Sequence, residues 1–404
     1  MNIINLYENY NSYFNQNLKV IFGKISKISS EGNFKLYLIG GIVRDLLLNR
    51  ENLDIDISVE GDAIKFAKLL QENGVAKISS IHEDFGTVKV KIEEIDIDLA
   101  STRSESYPQK GHLPGVNEIG CLLEQDVLRR DFTINSLAIS LNEGDFAHLI
   151  DYVGGYEDLK NKKIRILHDK SFIDDPTRII RALKYSQRFG FDLEENTLKL
   201  QSEYLDNINY DMCYKRVKQE IEKTFNDCGQ ACFEKFIEHG ICKLITPHPD
   251  CRLGLLAQQQ NIEALINKYN PNYPWFVYFG LILSNGGVEK FDLTKYEKDA
   301  IEGAESLKNK TFSDDFEIYK AFGGKYIETL LILAALGMEK EVCRYLDDLA
   351  KIKLQITGDD LIKLGFKPSK KFSEGFDYVL KEKLKNLKMT KDEEIKLAKK
   401  FLTD

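Results

Sequence analysis

The sequence lacks any long hydrophobic run. No stretch approaches the ~20 apolar residues needed to cross a bilayer, and Met1–Ser30 alternates Asn, Tyr, Lys and Ile without an apolar core or a small-residue cleavage site. Neither a membrane span nor a secretory signal is therefore expected. Cysteine is sparse, with seven residues scattered from Cys121 to Cys343. An odd number in a chain too large to need staples fits reduced thiols and a cytoplasmic location. An excess of basic charge is also missing. The formal net charge of −8 argues against a surface coated in nucleic acid, because binding to phosphate needs clustered Lys and Arg. Histidine is scarce, and His82, His112, His148, His168 and His248 form no H-x-x-x-H or H-E-x-x-H pattern, so no histidine-based centre is implied. What remains is 404 residues, 43% apolar, 11% aromatic and 30% charged. That is a globular composition with ample core and about two to three domains.

The first third reads as mixed α/β. Lys35–Ile39 is a short apolar strand that runs into Gly40-Gly41 and a helical stretch through Leu48. Asp54–Val59 alternates at period two, with Asp54, Asp56 and Ser58 on one face. Asp62–Gln71 has helical spacing, and Thr87–Ile92 and Ile95–Leu99 read as strands joined by a charged turn. Ser104–Gly120 is polar and punctuated by Pro and Gly, which predicts a mobile loop. Leu122–Leu141 carries a helical pattern. Beyond Asp175, Pro176 suits a helix start, Thr177–Phe189 keeps helical spacing, and helical patterns continue to the end with few strand signals.

Two aspartates one residue apart on a strand project from one face. Asp54 and Asp56 thus place hard oxygen ligands close together, a set that suits Mg²⁺. Directly upstream, Gly40-Gly41 at a strand-to-helix junction lets backbone N–H groups approach phosphate, and the helix dipole adds to this. Arg44 then stands beside that site as a fork donor. A D-x-D strand alone is weak evidence; a G-G-x-V-R-D turn ten residues before it is far more specific.

The string GGIVRDLLLNRENLDIDIS resembles the signature of the class II tRNA nucleotidyltransferases, the CCA-adding enzymes and their bacterial poly(A) polymerase relatives, of the DNA polymerase beta-like superfamily. Further likenesses follow in the family's order. RRDFTIN spans Arg129–Asn135, DYVGGYEDL spans Asp151–Leu159, and DDPTR spans Asp174–Arg178. A weaker likeness covers Arg216–Glu220, and TGDDLIKLGFKP from Thr357 resembles a tail module.

The resemblance implies an α+β fold. A polymerase-beta-like nucleotidyltransferase head with a mixed sheet (1–150) would be followed by an all-helical neck with the nucleotide-selecting helix (151–245) and a helical, tRNA-binding body and tail (246–404). It also implies a two-metal Mg²⁺ site at Asp54 and Asp56, where the tRNA 3′ hydroxyl attacks the α-phosphate and pyrophosphate leaves. Asp98 takes the place of a third carboxylate, although strand alternation alone also fits a surface charge there, and Asp96 shares its face. Gly40, Gly41, Arg44 and Arg130 fall on nucleotide-binding positions. Asp131 and Asn135, four apart on an expected helix face, either hold the ribose or brace the helix.

The selecting helix carries the base preference. Asp175 and Arg178 are spaced i, i+3, one acceptor-only and one donor-only. Cytosine and adenine each offer an amine donor beside a ring-nitrogen acceptor, whereas guanine and uracil present the reverse. The pair therefore fits CTP and ATP and leaves buried groups unpaired with the wrong bases. Arg181 continues that face. Two positions depart from the family. Asp174 replaces the usual Glu, and Lys184 stands where many members have Arg, keeping charge without the planar fork. In the family, the segment between the D-x-D strand and RRDFT is shortened in enzymes that add only C; the seventeen residues of Ser104–Gly120 favour complete CCA addition. Addition of CC only, A only or poly(A), or a non-catalytic tRNA-binding protein, are the alternatives.

Lys363–Lys388 holds eight lysines against three acids. The common reading of such a run is a solvated face; the functional reading makes Lys370, Lys371, Lys381 and Lys383 contacts to tRNA phosphates. Cys228, Cys232, His239 and Cys242 lack zinc-finger spacing and sit among Phe233, Phe236 and Ile237, which reads as core. The aromatic run Tyr269–Phe279 reads as helix-packing core before a base-stacking surface. The expected partners are tRNA, CTP and ATP, with no membrane and no obligate protein partner.

Overall fold

The computed structural model describes residues 4–208, 210–246 and 262–403; His248, Pro247 and Pro249 lie outside them. The chain forms two compact units, Met1–Glu220 and Ile221–Asp404. The neck motifs up to Glu220 thus fold with the head, and the finer division at 150 and 245 stays a proposal about roles.

The first unit is built on an eight-stranded mixed sheet. Its strands are β1 (Ile4–Asn5), β2 (Lys35–Ile39), β3 (Ile55–Glu60), β4 (Lys77–His82), β5 (Thr87–Ile92), β6 (Ile95–Ser101), β9 (Ala138–Ser140) and β10 (His148–Ile150), with β7 (Arg103–Ser106) and β8 (Gly115–Ile119) pairing apart from it. The order across the sheet is β1-β10-β9-β2-β3-β6-β5-β4. Within this sheet, among the described residues, only β3 and β6 run parallel, and their register sets Asp56 opposite Asp98 and Ile57 opposite Leu99. The apolar members of the alternating strands, Ile55, Ile57, Val59, Ile97 and Leu99, are all buried. Their polar partners are thereby left on the other face. Helices Gln16–Glu31 and Ala63–Glu72 contribute Phe22, Ile25, Phe66 and Leu70 to the core. Asp62 caps the second helix by accepting the N–H groups of Ile64 and Lys65, as its short side chain allows.

Two expectations are corrected. Leu122–Leu141 is not one helix. It breaks into the helix Leu123–Leu128, a 3₁₀ turn at Thr133–Asn135 and strand β9. The Asp131 carboxylate accepts the Phe132 N–H at 2.8 Å, and the backbone turns extended at Phe132. Such local side-chain bonding competes with the helix ladder, and β9 gains two strand partners, β2 and β10. Nor is Ser104–Gly120 wholly a loop. β7 and β8 pair as an antiparallel hairpin with a register shift at Ser104/Glu105, and residues 107–114 form its tip. The neck is also not purely helical, because Lys163–Ile164 pairs in parallel with Asp192–Leu193.

The second unit is helical. Pro274–Leu283 opens with Pro at its first position and is buried along its length, so Trp275, Phe276, Tyr278 and Phe279 are core. Cys232 and Cys242 are buried as well. Near the C-terminal end, helices Lys370–Lys385 and Lys391–Thr403 close a cluster of Ile356, Leu361, Phe372, Val379 and Ala398. No helix among the described residues is long and apolar enough to cross a membrane.

Candidate active site

A cleft of about 830 Å³ lies within the first unit. It collects residues from four motifs: Gly40 and Gly41, Asp54 and Asp56, Arg130, Asp131 and Asn135, and Asp175, Arg178, Arg181 and Lys184. Nine cationic and eight acidic side chains line it, so the lining is densely charged and close to balanced.

At one end, β2 stops at Gly40, whose φ of 76° suits glycine, and the helix Gly41–Leu47 begins. A Cβ at Gly40 would lie 3.2 Å from the Arg130 guanidinium, so the absent side chain lets Arg130 approach the turn. The Arg130 Nε is buried without a hydrogen-bond partner, while its Nη2 donates to Asp126 at 3.1 Å. An orphaned cationic donor beside a glycine turn fits an anion.

Arg44 departs from its expected role. Its Nε and Nη2 each donate to Asp45 at 2.9 Å, and its Nη1 donates to the Asn135 Oδ1 at 2.6 Å. The guanidinium stacks 4.5 Å from the centre of Phe189 and is buried. Its fork is taken by Asp45, so Arg44 braces the floor in place of offering a free fork.

Asp54 lies just before β3 and Asp56 within it. The Asn52 Oδ1 accepts the Asp54 N–H at 2.8 Å, and the Asn52 Nδ2 donates to Asp45 at 2.7 Å, which ties the carboxylate loop to the glycine-turn helix. The Asp56 carboxyl is pushed up to about 6, first by lost hydration; Arg130 opposes this, Asp98 and Asp54 add to it, and Lys89 opposes. Neighbouring carboxylates that repel a buried carboxylate form a site that gains by holding a cation. Among the described residues no three His, Cys, Asp or Glu side chains converge as a metal site. Asp98 is in register with Asp56 but bonds Lys89 at 3.3 Å and does not line the cleft. Asp54 and Asp56 therefore fit Mg²⁺ as a two-carboxylate set, which is typical of an ion that keeps waters and takes phosphate oxygens.

Asp131 and Asn135 do not share a helix face, yet they meet: the Asn135 Nδ2 donates to the Asp131 Oδ1 at 3.0 Å. Arg181 forks onto the Asp131 Oδ2 at 2.8 and 2.6 Å. Burial raises the Asp131 carboxyl, but Arg181, with Asn135, outweighs this and holds it below the usual carboxylate range. With Phe132 N–H as its fourth donor, the acceptor capacity of Asp131 is filled. Asn135 keeps one amide N–H.

Asp175 is not in the helix Thr177–Phe189 but immediately before it, in extended backbone. Its Oδ1 accepts the Thr177 N–H and Oγ1 at 3.1 and 2.6 Å, and its Oδ2 accepts the Arg216 Nη2 at 2.5 Å. Arg178 donates to Ser171 Oγ, to the Arg129 carbonyl and to the Tyr107 hydroxyl at 2.6, 2.9 and 3.2 Å. Both base-reading candidates are buried, oriented and open to the cleft. Lys184 is buried 3.5 Å from Glu220. Asp174 does not line the cleft; its carboxylate lies 3.9 Å from His168 and its carbonyl accepts the Gly111 N–H.

Sequence reading missed Asp126, which is fully buried and bonds Arg129, Arg130 and the Arg103 N–H. Its signal was the i, i+3 and i+4 spacing to Arg129 and Arg130. Arg103, Glu105, Tyr107 and Arg216 also line the cleft, and only tertiary structure brings them there.

In the second unit the basic segment divides. Lys370 and Lys371 are exposed. Lys381 pairs with Asp314 at 2.9 Å, and Lys383 is buried against Glu394. Lys383 is therefore a corrected expectation: its charge is consumed inside the fold.

A mixed sheet with a glycine turn, paired carboxylates and a polar selecting helix around one cleft defines a nucleotidyltransferase head of the polymerase-beta-like kind. Residues 36–165 match the Poly A polymerase head domain. The A-adding tRNA nucleotidyltransferase of Geobacter sulfurreducens is 32% identical over 417 residues, which cover 93% of this chain and 46% of that protein. The chain thus spans about half the length of that relative. The A-adding tRNA nucleotidyltransferase of Halalkalibacterium halodurans is 29% identical, covering 94% of this chain and 91% of its own. The solved Thermotoga maritima CCA-adding enzyme complexed with tRNA aligns with a TM-score of 0.77 at 27% identity over 99% of this chain and 98% of that one. Residues 36–165 thus carry a Poly A polymerase head domain, and the chain is similar along nearly all of its length to tRNA nucleotidyltransferases.

Proposed function

We propose that this chain adds nucleotides to the 3′ end of tRNA without a nucleic acid template, AMP among them. The observation that carries the reading is the meeting, in one cleft, of Asp54 and Asp56 with the glycine turn, Arg130 and the Asp175/Arg178 pair. Gly40, Gly41 and the unpartnered Arg130 Nε receive the triphosphate. Asn135 offers its remaining N–H to the ribose, and Asp131 with Arg181 holds that amide in place. Asp175 accepts the exocyclic amine of C or A, and Arg178 donates to the neighbouring ring nitrogen. Asp54 and Asp56 would hold Mg²⁺, which when bound supplies charge stabilisation and an activated hydroxyl.

The Asp175/Arg178 pair suits CTP and ATP alike, which supports complete CCA addition. A second reading, addition of the terminal A alone, is favoured by two A-adding relatives whose sequences align along 93% and 94% of this chain. The test uses tRNA ending at the discriminator base and tRNA ending in CC, each with CTP, ATP or both, resolved at single-nucleotide length. Two additions with CTP and a third with ATP establish CCA addition. Extension of only the CC-ending tRNA, by one A, establishes the A-adding reading. Extension of neither overturns the proposal.

A further inference from the structure

This inference rests on Asp54 and Asp56 holding a divalent metal ion, and it concerns the carboxylate beside them. Asp56, Asp98 and Lys89 stand side by side on three neighbouring strands. The parallel β3–β6 pairing sets Asp56 opposite Asp98, and the antiparallel β5–β6 pairing sets Asp98 opposite Lys89. Their chain neighbours Ile55, Ile57, Ile97, Leu99, Val88 and Val90 are all buried. The three charged side chains therefore share the other face of the sheet, and Asp98 has a carboxylate on one flank and an ammonium on the other.

Asp98 has turned to the ammonium. The Lys89 Nζ lies 3.3 Å from the Asp98 Oδ2, and Asp98 does not line the cleft that holds Asp54 and Asp56. Register alone does not force this pairing. Two residues along the same strands, Lys91 stands opposite Asp96, yet its Nζ bonds Glu94 at 2.9 Å. Both members of the Lys89–Asp98 pair are about half exposed, and exposed pairs are held weakly. Such a pair yields to a doubly charged ion that takes oxygen ligands.

We propose that Lys89 is a positioning residue for the metal site: its ammonium draws Asp98 out of the cleft and so competes with the metal ion for a third carboxylate. Two carboxylates leave most of the ion's coordination positions to water and phosphate oxygens. A third would tighten metal binding before a nucleotide brings its phosphates. Lys89 thereby keeps the site loose until substrate completes it.

The experiment titrates Mn²⁺ alone into wild type, K89R, K89Q, D98N, K89Q/D98N and D56N, with free Mn²⁺ read by electron paramagnetic resonance. K89Q should bind Mn²⁺ about two- to fivefold more tightly than wild type, the factor that an exposed ion pair supports. K89R keeps the charge and should stay near wild type. The gain should vanish in K89Q/D98N, which should bind like D98N. Melting curves give a second readout, with Mn²⁺ raising the melting temperature of K89Q more than that of wild type. The Lys89 charge also acts on Asp56 through space, so a gain that persists without Asp98 is a field effect and overturns the inference. Unchanged or weaker binding by K89Q, the mark of a merely structural pair, overturns it as well. Binding by wild type no tighter than by D56N overturns the metal reading itself, and the inference falls with it.

Discussion

Met1–Glu220 buries Asp175, Arg178 and Arg44 in the wall of one cleft, and Asp126 behind the lining residues Arg129 and Arg130, whereas Ile221–Asp404 buries Glu297, Glu328, Lys383 and Glu394 against helix ends and turns. In the second unit each buried acid has a backbone duty. Glu328 accepts the Tyr273 N–H, Glu394 accepts the N–H groups of Gln355 and Ile356, and Glu297 closes a capping box with Thr294. In the first unit Asp126, Asp175 and Arg44 hold other charged side chains that line an open space. Burying an ion costs much the same in either place. The difference is that the helical unit uses the ion to finish its own backbone, while the head keeps donors and acceptors facing a ligand.

The sharpest break in that comparison is Asp56→Asn. Loss of a carboxylate from a two-carboxylate metal set should lower nucleotide addition by at least about a hundredfold, read as single-turnover rate against Mg²⁺ concentration. Stability should move the other way. Because the folded-state pKa is raised from 3.8 to about 6, the folded protein holds this proton more tightly than the unfolded chain. Its contribution is most favourable below about pH 4 and declines as pH rises towards 6, with no further loss above. In metal-free protein, Asp56→Asn should therefore melt higher than wild type above pH 6, and the gain should vanish near pH 4. A lower melting temperature throughout would place Asp56 with the structural acids of the second unit.

A paired test follows, smaller in its effect on activity. Asp126→Ala leaves Arg129 and Arg130 without their shared acid, which should cost about 3–5 kcal/mol of stability and also weaken ATP binding. Lys383→Ala, which leaves Glu394 its two backbone donors, should cost about 3 kcal/mol and leave ATP affinity unchanged. Denaturant melts and ATP titrations of both variants check the contrast; equal effects on ATP binding would erase it.

The smallest expected effect is on the surface. Lys370→Glu with Lys371→Glu should leave melting unchanged but lower the salt slope of tRNA binding by about one to two, read by filter binding from low to moderate salt. An unchanged slope would mean that these lysines are a solvated face. Lys383 is unsuitable for such a charge reversal, because its partner is buried.

Much of the cleft was legible along the chain because the motifs are short. Gly40-Gly41, Asp54-x-Asp56 and Asp175-x-x-Arg178 each express a local backbone geometry; β3 falls where period-two alternation put it, and β2, β5 and β6 fall on the other segments read as strands. The helix expected over 122–141 was misread because apolar spacing there serves a broken path. Asp131 bonds its own neighbour's N–H, and the sheet takes Ala138–Ser140 as a strand. The hairpin at 103–119 was hidden for a similar reason: its pairing is made between segments with weak alternation of their own.

The sequence by itself determined which chemical groups exist and their local order: a glycine turn, two carboxylates on one strand, and an acceptor and a donor three residues apart. Only the tertiary structure decided their partners. Arg44 meets Asn135 across 91 residues, Arg181 meets Asp131 across 50, and Arg216 meets Asp175 across 41. Backbone periodicity reaches only a few residues, whereas an ion pair depends on distance in space, which chain folding alone sets.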